Sequence, residues 1–405
     1  MISFEASEEQ KLIQQTVADF ARSALLPRVR EHERSRSVPE DVRKGAHEMG
    51  LGIMTMPEAC GGQALGYVAA ALVEEELGAA DPAVAFGLPG PGSFGRAVLE
   101  LGTEEQQATF LTEFSAEGGH DRFGSVAWSE PGPNRERAGF STVATRTADG
   151  YSLTGKKAFV TNAHAADRFV VFAQVELDRG WDGIGAFVVR KDNPGLSVGP
   201  RHDTLGLDAA DFGEIWLQDA KVTEADRLLG DAGGFTQATL RFFAKQAIVV
   251  AARAVGVARF AFEIAREHCD TRKAFGKPIG HFQAVAFALA DRHMDVESAR
   301  WLVWKAAHAW DAKIPEKAAL LATAQAVAHA LEACMRTTDD CVGFHGGSGF
   351  IRDLIAEKLM RDSKQLALCC PTAEQMDQLA AALELGAALD PALVLPTPET
   401  QAIFT

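Results

Sequence analysis

The chain has 405 residues, of which 47% are hydrophobic and 23% are charged, a composition typical of a folded protein with two or three cores. Its formal net charge of −15 argues against nucleic-acid binding, because phosphate recognition needs a basic surface. The N-terminus lacks the basic and apolar regions of a signal peptide, and no apolar run approaches the length that spans a bilayer. We therefore expect a cytoplasmic protein.

The first part of the chain, residues 1–122, has the apolar spacing of helices. The apolar positions Leu12, Ile13, Val17, Phe20 and Ala21 recur near helical spacing. The sequence therefore predicts an N-terminal helical domain that ends at about residue 122.

From 123 to 238 the apolar residues recur at every second position, which predicts β-strands. Five short segments are rich in Val, Phe and Ile: 141–146, 151–154, 169–175, 184–189 and 214–217. Ala-Asp-Gly at 148–150 predicts a hairpin turn. Because no helix-length segment separates these strands, we expect an antiparallel β-barrel or sandwich.

Residues 239–385 return to helical spacing, in long runs at 240–269, 282–311, 315–343 and 354–385. Such long helices predict a C-terminal four-helix bundle. The last segment, 386–405, contains several prolines and is predicted to be an extended tail. The expected fold class is thus α+β, with a helical domain, a β-domain and a helical bundle in that order.

The six cysteines give no sign of a metal site. They have neither C-x-x-C spacing nor the paired Cys/His spacing of zinc ligands. Reduced thiols are therefore expected for most of these residues: Cys60, Cys269, Cys334, Cys341, Cys369 and Cys370.

Four short segments carry groups suited to holding a cofactor. Residues 127–132 read Ala-Trp-Ser-Glu-Pro-Gly, and residues 157–162 read Lys-Ala-Phe-Val-Thr-Asn. Residues 272–279 read Arg-Lys-Ala-Phe-Gly-Lys-Pro-Ile, and residues 343–350 form a glycine-rich turn. These segments resemble signatures of the acyl-CoA dehydrogenase family, and the resemblance covers nearly the whole chain. It implies the same three-domain α+β fold.

The resemblance also implies FAD as the cofactor and a homotetramer built as two dimers. Ser129 and Thr161 would hydrogen-bond the flavin ring, and Phe159 would cover its face. Arg272 would meet the diphosphate of a neighbouring subunit's FAD, a role that suits forked donors. The complete set of predicted FAD residues is Trp128, Ser129, Phe159, Thr161, Arg272, Phe275, Gln283, Gly346, Gly347 and Thr372.

The glutamate that serves the family as base is missing at both of its known positions. Alignment from residues 361–364 places Cys370 at the usual position, and alignment of the first bundle helix places Gln246 at the alternative one. A neutral thiol is a poor base, and glutamine cannot take the proton. Three usual substrate contacts are replaced as well, by Arg135, Ala244 and Ala247.

Other residues are candidates for the altered site. Glu374 lies four residues beyond Cys370, on the same side if a helix has resumed. Arg253 lies seven residues from Gln246 and would share its helix face. Arg253 or Arg135 would then hold an anionic substrate, and the alternative for Arg253 is a surface position or an ordinary ion pair.

Three functions fit this pattern. The first is an FAD-dependent oxidoreductase acting on an acyl thioester of CoA or of a carrier protein, with an electron-transfer flavoprotein or carrier protein as partner. The second keeps FAD for another reaction, as in 3-sulfinopropionyl-CoA desulfinases or flavin monooxygenases of the same fold. The third is a non-catalytic partner subunit. The retained flavin-facing positions favour an altered enzyme.

Overall fold

The computed structural model describes residues 6–131, 140–230 and 234–386. Its N-terminal part is helical, and two of its helices begin at capping boxes, formed by Ser7 with Gln10 and by Thr103 with Gln106. The helices are α1 (Glu8–Phe20), α2 (Val29–Ser35), α3 (Glu40–Glu48), α4 (Tyr67–Ala80), α5 (Pro82–Phe86), α6 (Gly92–Leu101) and α7 (Glu104–Leu111).

The middle part is a sheet. Its strands are β1 (Gly124–Ala127), β2 (Val143–Arg146), β3 (Gly150–Thr161), β4 (Arg168–Gln174), β5 (Ile184–Arg190), β6 (Leu196–Arg201), β7 (Phe212–Thr223) and β8 (Arg227–Leu228). The strand order is β6-β7-β3-β2-β4-β5-β8, with β1 beside β4. The predicted hairpin joins β2 to β3. Most pairs are antiparallel, but β1 and β2 each pair with β4 in parallel. The alternation pattern did not predict this, because it carries no information on strand direction.

The C-terminal part is a helical bundle of α8 (Phe235–Thr271), α9 (Gln283–Asp311), α10 (Glu316–His345), α11 (Ala356–Leu366) and α12 (Ala373–Leu385). A small hairpin of β9 (Lys273–Ala274) and β10 (Lys277–Pro278) joins α8 to α9. The predicted single run 354–385 is wrong, because it is divided between α11 and α12. Pro371 lies in the break, where its missing amide hydrogen opposes a continuous helix, and Thr372 caps α12.

Close packing of α4 against α8 places charged groups of the two helices side by side. A Cβ atom at Gly78 would meet the backbone of Arg253, and one at Gly256 would meet the backbone of Glu75. Glycine at both positions therefore allows the helix backbones to approach closely. As a result, Glu74 on α4 lies next to Arg253 on α8.

Contrary to the expectation that no apolar run approaches the length of a bilayer span, the third bundle helix, α10, meets the length and composition criteria for one. However, 67% of its most apolar window is buried inside the protein. This burial is what a core helix of a bundle requires, because its apolar surface faces the neighbouring helices rather than lipid.

Candidate active site

A cavity of about 720 Å³ lies where the three parts of the chain meet. Its walls come from α4–α6, from the ends of β1 and β3, from α8 and from the α11–α12 connection. Seven residues predicted from the sequence line it: Trp128, Ser129, Phe159, Thr161, Gln246, Arg253 and Cys370. A cavity of this size, largely apolar with a few polar groups, is suited to an organic ligand.

The loop that follows β1 is held against β3 by three hydrogen bonds. The Ala158 amide donates to the Ser129 carbonyl at 2.9 Å. The Lys157 ammonium donates to the Trp128 carbonyl and to the Glu130 carboxylate, both at 2.9 Å. These bonds fix the backbone that presents the Trp128 and Ser129 side chains to the cavity.

Lys157 and Glu130 form a buried ion pair behind this loop, with the Lys157 ammonium 3.6 Å from the centre of the Phe140 ring. Burial lowers the pKa of Lys157 to about 8, although Glu130 opposes the change. Burial acts to raise the pKa of Glu130, but Lys157 and the Thr142 amide together lower it. The pair was not predicted as part of the site, although both residues lie within the recognised motifs.

Phe159 faces outward from β3 at an irregular point of the strand. Pairing between β3 and β7 shifts register between Lys157 and Val160, and Phe159 has a φ of +55°, a region unfavourable for residues with a Cβ atom. Its side chain is 62% exposed, with the ring centre 4.8 Å from that of His202. The irregularity therefore leaves an aromatic face open at the cavity, beside Thr161.

Gln246 on α8 lines the cavity and is hydrogen-bonded to Arg96, a residue that the sequence analysis did not identify as part of the site. Its amide oxygen accepts a hydrogen bond from Arg96 Nε at 2.5 Å. Arg96 lies on α6 and also lines the cavity. No motif marks Arg96, and its position depends on the packing of α6 against α8, which are far apart in the chain.

Arg253 lines the same cavity, but its guanidinium is engaged. Its Nε and Nη2 donate to the two carboxylate oxygens of Glu74 at 2.6 and 3.0 Å, and both side chains are buried. The guanidinium also lies over the Phe86 ring, 4.3 Å from its centre. Arg253 is therefore ion-paired, which was the alternative to an anion-binding role.

Cys370 reaches the cavity from the connection between α11 and α12, next to Cys369. Burial raises the pKa of both thiols, to about 12 for Cys369. The Cys369 thiol donates to the Gln365 carbonyl at 3.3 Å. At neutral pH the cavity wall therefore carries neutral thiols here.

Three domains of one family match consecutive parts of the chain. The acyl-CoA dehydrogenase N-terminal domain matches residues 7–117, its middle domain matches residues 125–220 and its C-terminal domain matches residues 232–381. The chain belongs to the acyl-CoA dehydrogenase family. Its cofactor is therefore FAD, and the observed helical, sheet and helical parts form the acyl-CoA dehydrogenase fold.

Individual relatives agree with this assignment. The chain is 32% identical over 366 residues to the mitochondrial short-chain specific acyl-CoA dehydrogenase of Bos taurus, which spans 89% of this chain and 86% of the relative. It is 33% identical over 358 residues to cyclohex-1-ene-1-carbonyl-CoA dehydrogenase of Geobacter metallireducens, with coverage of 88% and 93%. Butyryl-CoA dehydrogenase from Megasphaera elsdenii has a similar structure, with a TM-score of 0.87, 30% identity and coverage of 95% and 100%. The chain is thus an acyl-CoA dehydrogenase-like flavoenzyme.

The cavity of this family member fits a flavin. Ser129 and Thr161 supply hydroxyl groups at the cavity wall, and the exposed Phe159 ring supplies a flat apolar surface. The loop that carries Ser129 is fixed by the Lys157–Glu130 pair, so these groups are positioned before a ligand enters.

Five predicted FAD residues of the family motifs lie outside the cavity and are exposed: Arg272, Phe275, Gln283, Gly346 and Gly347. Phe275, at the tip of the β9–β10 hairpin, is 97% exposed. The rings of His268 and His345 stack with their centres 4.4 Å apart, which brings the ends of α8 and α10 together. The two segments therefore form one continuous surface.

Thr372 and Glu374 also lie outside the cavity lining. Thr372 accepts a hydrogen bond from the Gln375 amide and caps α12. Glu374 is exposed, and hydrogen bonds from its own amide and from the Thr372 hydroxyl lower its pKa. Because α12 begins only at Ala373, the helical spacing that would align Glu374 with Cys370 is absent. Arg135 lies outside the described residues.

We expect Phe159→Ala to weaken FAD binding by up to about tenfold, because an aromatic contact contributes about 0.5–1.5 kcal/mol beyond area burial. Phe159→Trp, which keeps an aromatic ring at this position, is expected to retain the affinity. The measurement is a fluorescence titration of apoprotein with FAD. Phe159→Gly separates the ring from the backbone, because glycine tolerates the positive φ. An Ala variant that binds FAD as tightly as the parent would contradict the proposed contact.

Proposed function

We propose that this chain is an FAD-dependent enzyme that acts on an acyl thioester, carried by CoA or by a carrier protein, with an altered base and substrate site. The observation that carries the proposal is the shared cavity. Phe159 and Thr161, on the flavin-facing side of the motifs, line it together with Gln246 and Cys370, which stand at the two base positions.

The carboxylates of the cavity support an altered base. Among the lining residues that the structure describes, they belong to Glu74 and Asp203. Both oxygens of Glu74 accept bonds from Arg253, and Asp203 is exposed and paired with Arg36 at 3.2 Å. Neither carboxylate is free, because each is already engaged by an arginine.

When bound, FAD supplies a hydride acceptor for the β-carbon of an acyl thioester. Ser129, Thr161 and Phe159 would hold and orient the ring. Gln246 and Cys370 would contact the acyl group without accepting its α-proton at neutral pH, because an amide is not basic and the thiol is protonated. The residues of this chain therefore provide binding and orientation, and proton removal is the step in which they depart from the family.

A second reaction class, elimination without net oxidation, is favoured by one observation. The Gln246 amide is held by Arg96, so it is an oriented hydrogen-bonding group rather than a base. A lyase similar to 3-sulfinopropionyl-CoA desulfinases would keep the FAD site and use such a polar wall to hold the leaving group.

We further propose that the exposed surface of Arg272, Phe275, Gln283, Gly346 and Gly347 completes the FAD site of a second copy. Arg272 offers forked donors for a diphosphate, and the two glycines permit close backbone approach. A homotetramer of two dimers would then assemble the sites. An electron-transfer flavoprotein is the proposed acceptor if the reaction is a dehydrogenation.

Anaerobic titration of the purified holoprotein with CoA thioesters, followed by flavin absorbance, tests the proposed function. Bleaching of the flavin is the expected result for dehydrogenation. Sulfite release from 3-sulfinopropionyl-CoA without lasting bleaching indicates elimination. In a separate aerobic assay, reductase-dependent oxygen use indicates monooxygenation. A colourless protein that takes up no added FAD, or a flavin spectrum that no thioester perturbs, would refute an enzymatic role at this site.

A further inference from the structure

Arg96 carries a positive charge inside the cavity without a protein counterion. Its Nε donates to Gln246, and its two terminal nitrogens have no acceptor among the residues that the structure describes. No carboxylate of the described chain lies within ion-pair distance of it. A guanidinium in this arrangement presents two free, parallel donors, the geometry that a carboxylate or a similar oxyanion accepts.

The surrounding charges leave this cation uncompensated. Glu74 is the nearby carboxylate, but Arg253 engages both of its oxygens. The pKa of Arg96 is lowered, mainly by burial. The Arg253 cation also lowers this pKa, whereas the Glu74 carboxylate opposes the change. Arg96, Arg253 and Glu74 together carry one net positive charge. Arg96 is half-buried and its charge is only partly hydrated, so a ligand anion would be stabilised here.

The position of Arg96 shows which part of a thioester it would meet. Leu77, Phe242 and Phe243, which line the cavity with it, are buried, so this wall lies in the protein interior. Asp203 and Lys364, also lining residues, are exposed and mark the mouth. The bulky, highly charged CoA or carrier handle requires the mouth, and the acyl group would therefore reach the interior.

We propose that Arg96 binds an anionic group on the acyl part of the substrate, so that the preferred ligands are thioesters bearing a carboxylate or a sulfinate. The inference rests on the proposed function and adds the class of acyl group. Gln246 acts as a positioning residue, because its bond to Nε sets the plane of the guanidinium. Arg253 has the separate task of neutralising Glu74.

Calorimetric titration of the FAD-loaded protein with matched ligands tests the inference. Glutaryl-CoA carries a carboxylate, and 5-methylhexanoyl-CoA has a neutral branched end of the same shape on a chain of the same length. We expect the carboxylate ligand to bind about 30-fold more tightly or better, the value for losing one partner of a buried charged pair. Comparison of succinyl-CoA with 3-sulfinopropionyl-CoA then distinguishes a carboxylate from a sulfinate.

Arg96→Met is expected to abolish the preference for the anionic ligand and to leave binding of the neutral ligand nearly unchanged. Arg96→Lys keeps the positive charge but not the two parallel donors of the guanidinium. This variant is expected to retain part of the preference for the anionic ligand. Arg22→Met removes an exposed arginine outside the cavity and is the matched control. If Arg96→Met does not fold, Gln246→Glu neutralises Arg96 in place and is expected to weaken binding of the anionic ligand selectively.

Two negative results are distinguishable. If the anionic and neutral thioesters perturb the flavin with equal affinity, or if Arg96→Met keeps the preference, the anion site is refuted while the proposed function stands. If no thioester binds or perturbs the flavin spectrum, the proposed function itself fails.

Discussion

Cys370→Glu is expected to raise the rate of flavin reduction by acyl-CoA by about 100-fold or more, the lower range for a positioned general base. Cys370 lines the cavity, so a longer side chain can extend into it. Burial there would raise the pKa of the introduced carboxylate towards neutrality and make it a useful base. Anaerobic stopped-flow absorbance with butyryl-CoA and glutaryl-CoA measures the rate.

Two control variants separate basicity from shape. Cys370→Gln has the size of the glutamate variant without its basicity, and no increase is expected. Gln246→Glu is expected to give a smaller increase, because Arg96 lies 2.5 Å from the Gln246 amide oxygen and would keep a carboxylate there ionised. A glutamate at position 370 that binds FAD and thioester normally but reduces the flavin no faster would show that this position is not adjacent to the α-carbon.

Arg253→Met is expected to lower the free energy of unfolding by about 3–5 kcal/mol, because it leaves the Glu74 carboxylate buried without its partner. The guanidinium makes two bonds to Glu74 and lies against Phe86, so its loss removes packing as well as charge. Urea denaturation followed by circular dichroism measures the change.

The double variant Arg253→Met with Glu74→Leu is the decisive comparison. Removing both charges eliminates the unpaired carboxylate, and stability is expected to recover by most of the loss. Arg22→Met breaks an ion pair on the surface, and its denaturation midpoint is expected to match that of the parent. Equal stability of Arg253→Met and the parent would contradict the role given to the buried pair.

Local patterns were sufficient for much of the fold. Alternation and helical spacing separate the middle sheet from the helices on either side, because both periods act over a few residues. The run 354–385 was misjudged, since residues 367–372 have apolar spacing but contain a proline and a helix cap. Parallel pairing of β1 and β2 with β4 depends on the path of the connections.

The residues of the candidate site also fall into two groups: those that contiguous motifs predict, and those whose position depends on contacts between distant parts of the chain. Ser129, Phe159 and Thr161 belong to contiguous motifs, and all three line the cavity. Arg96 belongs to no motif, and its importance arises only when α6 packs against α8 and brings it to Gln246. Arg253 lies in the cavity wall as expected, but Glu74, distant in the chain, decides that it is a structural ion pair.

The break between α11 and α12 has a consequence for how this family member can change its chemistry. Cys370 lies outside both helices, and α12 is capped by Thr372 rather than by the residue at 370. The backbone hydrogen bonds of the two helices therefore do not depend on the side chain at position 370, which lines the cavity. We therefore expect a substitution at position 370 to change the cavity wall while both helices persist, so that a change in chemistry at this position is compatible with an unchanged scaffold.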